Sequence, residues 1–550
     1  MKYAKQILTL ALLAACTACT GDFEEYNRNP NKLTDGSIAP SSMMEPLVYD
    51  AAKSMASYML SIANEISQVT VAKSTPRREH CYNLADGNFA NIWNLCYKWA
   101  ANADHMRGLA IDQKQPNYEA IALTMKVYYL SICCDMFGSI AYTEALKGSE
   151  GIRQPHIDTQ KEAYEAMIAD LEQANSLYQP SVVLANATKD GIYGGDITKW
   201  KKFTNTLRLR LLMRVSGRNN AFTPSVGDQI KQLLADPATY PVFESNDDEA
   251  TVKFTAAAEY YLSYFNTSSF TSETDLSGDH HVSERFLSLI YNQADGTTDP
   301  RLRIWIKPRY NASQIQPMVG AISGCTNGYN SRPIADQEPF LHYETLVSDT
   351  NPIYLMGYDE LLFIKAEAAL KGWIAGSAQE YYEEAVQASC EKWGQYGQRA
   401  AYPVLSGSSV STTPVSIVQK DITALLESDL AKWDGTEQRL AEQKWISLFW
   451  VVGFQMYHEM RRTGYPECKT GLGTIELDRT DGKFIARYPY PLIAVANNRA
   501  NYEAAFAEQG GSVNDNTMIF PVWWSGQAVA RDAGSPWPHS FRHNVIAEEN

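Results

Sequence analysis

Residues 358–393, YDELLFIKAEAALKGWIAGSAQEYYEEAVQASCEKW, carry two apolar stripes of helical period separated by one short break. This pattern limits the possible folds more than any other in the chain. Leu361, Leu362, Ile364, Ala366, Ala369 and Leu370 recur on one face of the first helix, with Ala where a neighbouring helix must approach closely. Gly376 supplies a C-cap position and Ser377 an N-cap, with Glu380 at capping-box spacing. Tyr381, Tyr382, Ala385 and Val386 form the second stripe. The break is short, so the two helices pack antiparallel. A helix pair with one apolar face cannot bury that face alone, so similar pairs must stack on it.

The rest of the chain supplies them without a strict period. Helical patterning covers 41–70 and 89–110, and a long apolar segment follows at 117–146. Thr159 and Glu162 open a helix ending near Tyr178 as a capping box. In 195–217, Trp200, Phe203, Leu207, Leu211 and Val215 share one face, and Arg208, Arg210 and Arg214 are expected to pair with acidic neighbours. Ser416 and Gln419 open a further helix running to Trp433, and 439–466 reads as one helix, apolar almost all round from Trp445 to Phe454 and therefore buried. These units resemble tetratricopeptide repeats, but the irregular spacing indicates a mainly α-helical repeat scaffold carrying long insertions. Periodicity fades over 240–357, where Gly, Pro, Ser and Asn rise, and long loops on a rigid scaffold commonly carry binding residues.

The formal net charge of −15 excludes nucleic-acid binding, which requires basic grooves rather than a surface that repels phosphate. At the N-terminus, Lys2 and Lys5 precede an apolar run, Ile7 to Ala15, too short to span a bilayer. The run ends in Leu13-Ala14-Ala15-Cys16, the pattern of a bacterial lipobox. Residues 1–15 then form a lipoprotein signal peptide, and Cys16 is the lipidated first residue, with Cys19 as the alternative. Losing Lys2 and Lys5 takes the charge from −15 to −17. Residues 16–37 read as a polar tether and 38–550 as the folded domain. The remaining cysteines show neither a CxxC pair in the folded part nor finger spacing, so they make no zinc site.

Seven stretches in order resemble the SusD/RagB family: GDFEEYNRNPNKLT, DMFGSIAYTEAL, GDITKWKKFTNTLRLRLLMRVS, TTDPRL, YDELLFIKAEAALKGW, EQKWISLFWVVGFQMYHEMRRTGYP and RYPYPLIAVANNRANYEAAFAEQGG. The resemblance implies about four irregular tetratricopeptide-like helix pairs with a loop-rich, ligand-facing half. It also implies a surface lipoprotein anchored in the outer membrane that captures a glycan, or alternatively a peptide, for a SusC-like TonB-dependent transporter, without catalysis or cofactor.

Catalytic signatures are absent from the sequence. There is no GxSxG elbow, no P-loop and no Rossmann glycine set, and His458-Glu459 lacks the second histidine of a zincin because position 462 is Arg462. Asp279-His280-His281 reads as a solvated polar loop and Asn246-Asp247-Asp248-Glu249 as a charged turn. A surface hydrolase and a purely structural adaptor are the competing readings. The ligand is expected on the loops 74–88, 256–270 and 320–343, with Tyr82, Tyr261, Tyr264 and Tyr329 as stacking surfaces and Arg78 and Asn266 as hydrogen-bond donors.

Overall fold

A computed structural model describes residues 38–72, 79–82, 84–255, 276, 280–321, 323, 337–347, 350–451, 454–467, 469–470, 484–535 and 544–545. Its scaffold consists of α1 (Asp86–Asp112), α2 (Pro116–Phe137), α3 (Gln160–Leu177), α4 (Ile197–Arg214), the short α5 (Glu284–Ile290), α6 (Tyr358–Leu370), α7 (Ala378–Gly394), α8 (Glu437–Ser447) and α9 (Gln455–Thr463). Among the described residues four pairs stand out: α1 on α2, α3 on α4, α6 on α7 and α8 on α9. Helix α2 also packs on α3, and α6 touches α4 and α8, so the helix pair most legible in the sequence is the hub of the array.

Local chemistry explains the boundaries. Thr159 and Glu162 make the full capping box at the start of α3, and Asp196 caps α4 by accepting from the Lys199 N–H at 3.1 Å. Helix α6 ends earlier than the sequence suggests, at Leu370. Gly372 then takes a φ of 71° and Gly376 one of 109°, conformations that cost a side-chain-bearing residue energy. Ser377 caps α7 as expected, accepting from the Glu380 N–H at 3.3 Å. Helix α2 is long and apolar enough to cross a bilayer, yet 94% of its most apolar window is buried inside the protein, which makes it a core helix.

The basic face of α4 pairs as expected. Arg208 bonds Glu172, Arg210 reaches Glu360 at 2.5 Å, and Arg214 reaches Glu459 at 2.5 Å and Asp135 at 3.3 Å. Around Glu459 the interior becomes an ionic network, with Lys444 at 2.9 Å and Arg462 at 2.7 Å; Arg462 also clasps both oxygens of Glu367 at 2.7 and 2.6 Å. Buried charge persists only when paired in this way. His458 lies in the same interior, and burial followed by the charge of Arg461 pushes its pKa well below the usual imidazole range, so it is neutral.

Three expectations are corrected. The single helix over 439–466 is broken into α8 and α9, with Trp450 and Phe454 at φ 64° and 65°. The Trp450 indole donates to Leu346 O at 2.8 Å, so a tertiary bond and burial on all sides override local helix preference. His280 and His281 are buried in a strand rather than solvated: His280 Nδ1 lies 3.5 Å from Glu65 and His281 Nδ1 lies 3.0 Å from Glu338. The helix expected over 416–433 spans Gln419–Glu427 only, capped through Asp421. The Asn246–Asp248 turn is charged as expected, with Asp248 and Glu249 drawn inward by Lys202 at 2.8 Å and Lys392 at 3.7 Å.

Short strands fill the insertion and its surroundings: β1 (Thr70–Ala72), β2 (Ala250–Val252), β3 (His280–Val282), β4 (Ile306–Lys307), β5 (Phe340–Leu341), β6 (Ile353–Met356), and the hairpin of β7 (Ala401–Ser406) and β8 (Ser409–Pro414). All pair two by two and antiparallel: β1 with β3, β2 with β6, β4 with β5, and β7 with β8.

Candidate ligand-binding cleft

The three loops singled out in the sequence each have one end at the same place. Strand β1, which leads into 73–78, pairs with β3, which follows 256–279, in the register Val71 to His281. On its other side, Ser283 bridges Ala321: Ala321 N–H donates to Val282 O at 2.8 Å and Glu284 N–H donates to Ala321 O at 2.7 Å. The loop that starts beyond Ala321 is closed at its base, where Val319 N–H donates to Gln337 O at 3.1 Å. Beneath this junction Glu65 accepts from Thr70 Oγ1 at 3.0 Å and from the Ala72 N–H at 2.8 Å. Burial pushes the Glu65 pKa up, but the His280 hydrogen bond and the nearby His80 charge outweigh it, so the carboxyl titrates below its ordinary value.

Helix α5 starts at the same junction, capped by the Ser283 hydroxyl, which accepts from the Phe286 N–H at 2.9 Å. Its inward face is fixed by aromatic packing: Phe286 stacks on Phe449 at 4.9 Å and meets Trp445 at 5.8 Å. Its other face, Glu284, Leu287, Ser288 and then Tyr291, recurs at helical spacing and lines a cleft of 420 Å³. Met318, Val319 and Gly320 form the opposite wall, and Asn292, Gln293, Asp429 and Leu430 complete it. The wall approaches so closely that a Cβ on Gly320 would lie 2.4 Å from the Glu284 backbone. Glycine is therefore required at this contact.

The lining is mixed and prearranged. Leu287, Met318 and Leu430 give an apolar floor, and Tyr291 an aromatic wall. The Asn292 carbonyl oxygen is engaged by the Ala294 N–H at 3.0 Å, which fixes the amide and leaves its NH₂ as a donor. Leu430 O is held by Arg439 at 2.6 Å and Gln443 at 2.9 Å, which ties that rim to α8. A cleft of this volume, with one aromatic and convergent hydroxyl, amide and carboxylate groups, suits a small polyhydroxylated ligand.

The sequence-expected site residues divide unequally. Arg78, Tyr261, Tyr264, Asn266 and Tyr329 lie outside the described residues, as do Cys16 and Cys19. Tyr82 is described and is corrected: it is 1% exposed, at φ 61°, with its ring edge-on to Phe484 at 6.0 Å. A ring packed in this way offers no face to a sugar. The cleft residues Tyr291, Asn292 and Asp429 were not anticipated. The available signal was the stripe Glu284, Leu287, Ser288, Tyr291, which is half polar on a helix whose other face is apolar at Phe286, Leu289 and Ile290.

Comparison with known proteins adds the family. Residues 30–491 match SusD-like proteins, described as "starch-binding associating with outer membrane". The chain belongs to this SusD-like family. Among solved structures it resembles a SusD homologue of Bacteroides fragilis at 23% identity and TM-score 0.69, covering 88% of this chain and 100% of that one. A chitin-binding protein matches at 24% identity and TM-score 0.68, over 88% of this chain and 99% of that one. A SusD homologue of Bacteroides thetaiotaomicron follows at 20% identity and TM-score 0.63, over 90% and 99%. No curated protein matches. The mainly helical, tetratricopeptide-like fold of this SusD-like chain is thus that of its structural neighbours.

Proposed function

We propose that this SusD-like protein is a cell-surface lipoprotein that captures a glycan or oligosaccharide and delivers it to a SusC-like TonB-dependent transporter of the outer membrane. The observation that carries the reading is the junction of β1, β3 and Ala321 beside a preformed cleft holding Tyr291, Asn292 and Asp429. The starch-binding description of the family and the chitin-binding neighbour support a saccharide ligand. Tyr291 would stack on the apolar face of a sugar ring while the amide and carboxylate groups take its hydroxyls. Arg78, Tyr261, Tyr264, Asn266 and Tyr329 would contribute from the loops rooted at the same junction.

The protein has a binding role in this reading and no catalytic one. Anchoring is through Cys16, with Cys19 as the alternative, behind a signal peptide of residues 1–15 and a tether of 16–37. Isothermal titration with starch- and chitin-derived oligosaccharides tests capture. Binding without turnover is expected, and release of shortened sugars would instead favour a hydrolase. Binding of peptides alone would move the ligand class to the alternative, a peptide-capturing lipoprotein. Purification in mild detergent at native expression is expected to bring down a TonB-dependent barrel, and recovery only as a lone monomer would contradict delivery.

A further inference from the structure

A second cleft, of 390 Å³, lies on the C-terminal part of the chain. It is lined by Glu508, Gln509, Gly510, Pro521, Trp523, Arg531 and Asp532. We propose that this cleft is a second binding site for a neutral saccharide, with Trp523 as its platform. The proposal rests on the glycan reading above, because the ligand class is the same.

The lining argues for this class in three steps. First, the platform is prearranged. The Trp523 N–H donates to Gln160 Oε1 at 2.6 Å and its carbonyl accepts from Arg218 Nε at 2.9 Å. The Arg218 guanidinium lies 5.1 Å from the indole centroid and Phe222 is 6.2 Å away. A half-buried indole held by backbone and ring contacts loses little freedom when a ligand stacks on it.

Second, the polar groups around Asp532 are fixed. Arg218 donates to Asp532 Oδ2 at 2.7 Å and Arg531 to Asp532 Oδ1 at 3.0 Å. Burial alone would raise the Asp532 pKa, but these two hydrogen bonds hold it below the ordinary carboxylate range. Asp532 is therefore a charged acceptor with spare lone pairs. Its charge is met by Arg218 behind the platform and by Arg531 in the lining, so this pair is already neutralised and does not select a free ion. Gln509 is pinned by donating to Ser139 Oγ and Ala505 O, each at 2.9 Å.

Third, the combination is the chemistry of sugar recognition. An aromatic surface, here Trp523 with Pro521, meets the C–H face of a pyranose, and paired acceptors and planar donors meet vicinal hydroxyls. The volume falls within the range of small-ligand sites. This cleft shares no lining residue with the one at Tyr291, so it would give a captured glycan a second point of attachment, and two linked contacts raise overall avidity.

The test is isothermal titration with a short chito-oligosaccharide and a short malto-oligosaccharide, comparing wild type with Trp523→Ala, Arg531→Ala and Tyr291→Ala, each checked for an unchanged melting temperature. Arg531 is exposed, so its variant reports even where Trp523→Ala fails to fold. Two sugars per chain are expected in wild type, with Trp523→Ala and Arg531→Ala reducing this to the Tyr291 site alone. One sugar per chain, lost in Tyr291→Ala and unchanged in both C-terminal variants, overturns the second site and leaves the first. One sugar per chain lost only in the C-terminal variants overturns the Tyr291 site and supports this one. No binding by wild type overturns both.

Discussion

Glu367→Gln should destabilise the protein by roughly 3–4 kcal/mol at neutral pH, and the loss should shrink in acid. Glu367 is buried on α6, and both of its oxygens accept from Arg462, at 2.7 and 2.6 Å. Burial raises its pKa, but Arg462 and Lys371 outweigh burial and bring it from 4.5 down to about 2. At ~1.4 kcal/mol for each tenfold change in acidity, this fall gives roughly 3–4 kcal/mol of charge-dependent stability. Because the folded pKa is the lower one, this stability is complete above the unfolded value and fades as pH falls toward about 2. At pH 3 less than half should remain, on the order of 1 kcal/mol. Gln keeps the shape and mimics the protonated form. Urea denaturation of both proteins at pH 7 and pH 3 would measure the two differences. A difference under about 1 kcal/mol at pH 7, or one equal at both pH values, would refute the reasoning, since a buried pair broken on one side costs roughly 3–5 kcal/mol.

Gly320→Ala should lower the affinity for ligand and cost about 1–3 kcal/mol, because its Cβ would lie 2.4 Å from the Glu284 backbone and push the cleft walls apart; titration and thermal melting read both effects. Phe449→Ala should cost about 3–5 kcal/mol in chemical denaturation, since Phe449 packs on Phe286, Trp305 and Trp393 and anchors the inner face of α5. Cys16→Ala should abolish labelling by a fatty-acid analogue and release the protein from the membrane fraction; persistent labelling would move the anchor to Cys19.

The scaffold was legible in the sequence because its signals are local. The stripe from Leu361 to Ala366, the Ser377 cap and the Thr159 capping box each state a helix within a few residues, and the structure has them. Pairing of Arg208, Arg210 and Arg214 followed from charge balance alone. What failed depended on distant partners. The break at Trp450 depends on Leu346, the burial of Tyr82 on Phe484, and the burial of His280 and His281 on Glu65 and Glu338. The cleft was hidden for the same reason. Tyr291 and Asp429 are far apart in the chain, so no local pattern joins them, whereas the aromatic density of 256–270 is visible in a single stretch.

The central claim is capture of a saccharide at the junction beside α5. Its most direct test is the dissociation constant of a starch- or chitin-derived oligosaccharide for wild type and for Tyr291→Ala, alongside the melting temperature of each. The account predicts measurable wild-type binding, weakened about tenfold or more by loss of roughly 1.4 kcal/mol of stacking and burial, with the melting temperature unchanged. Equal affinity in the two proteins, with the fold intact, would contradict it.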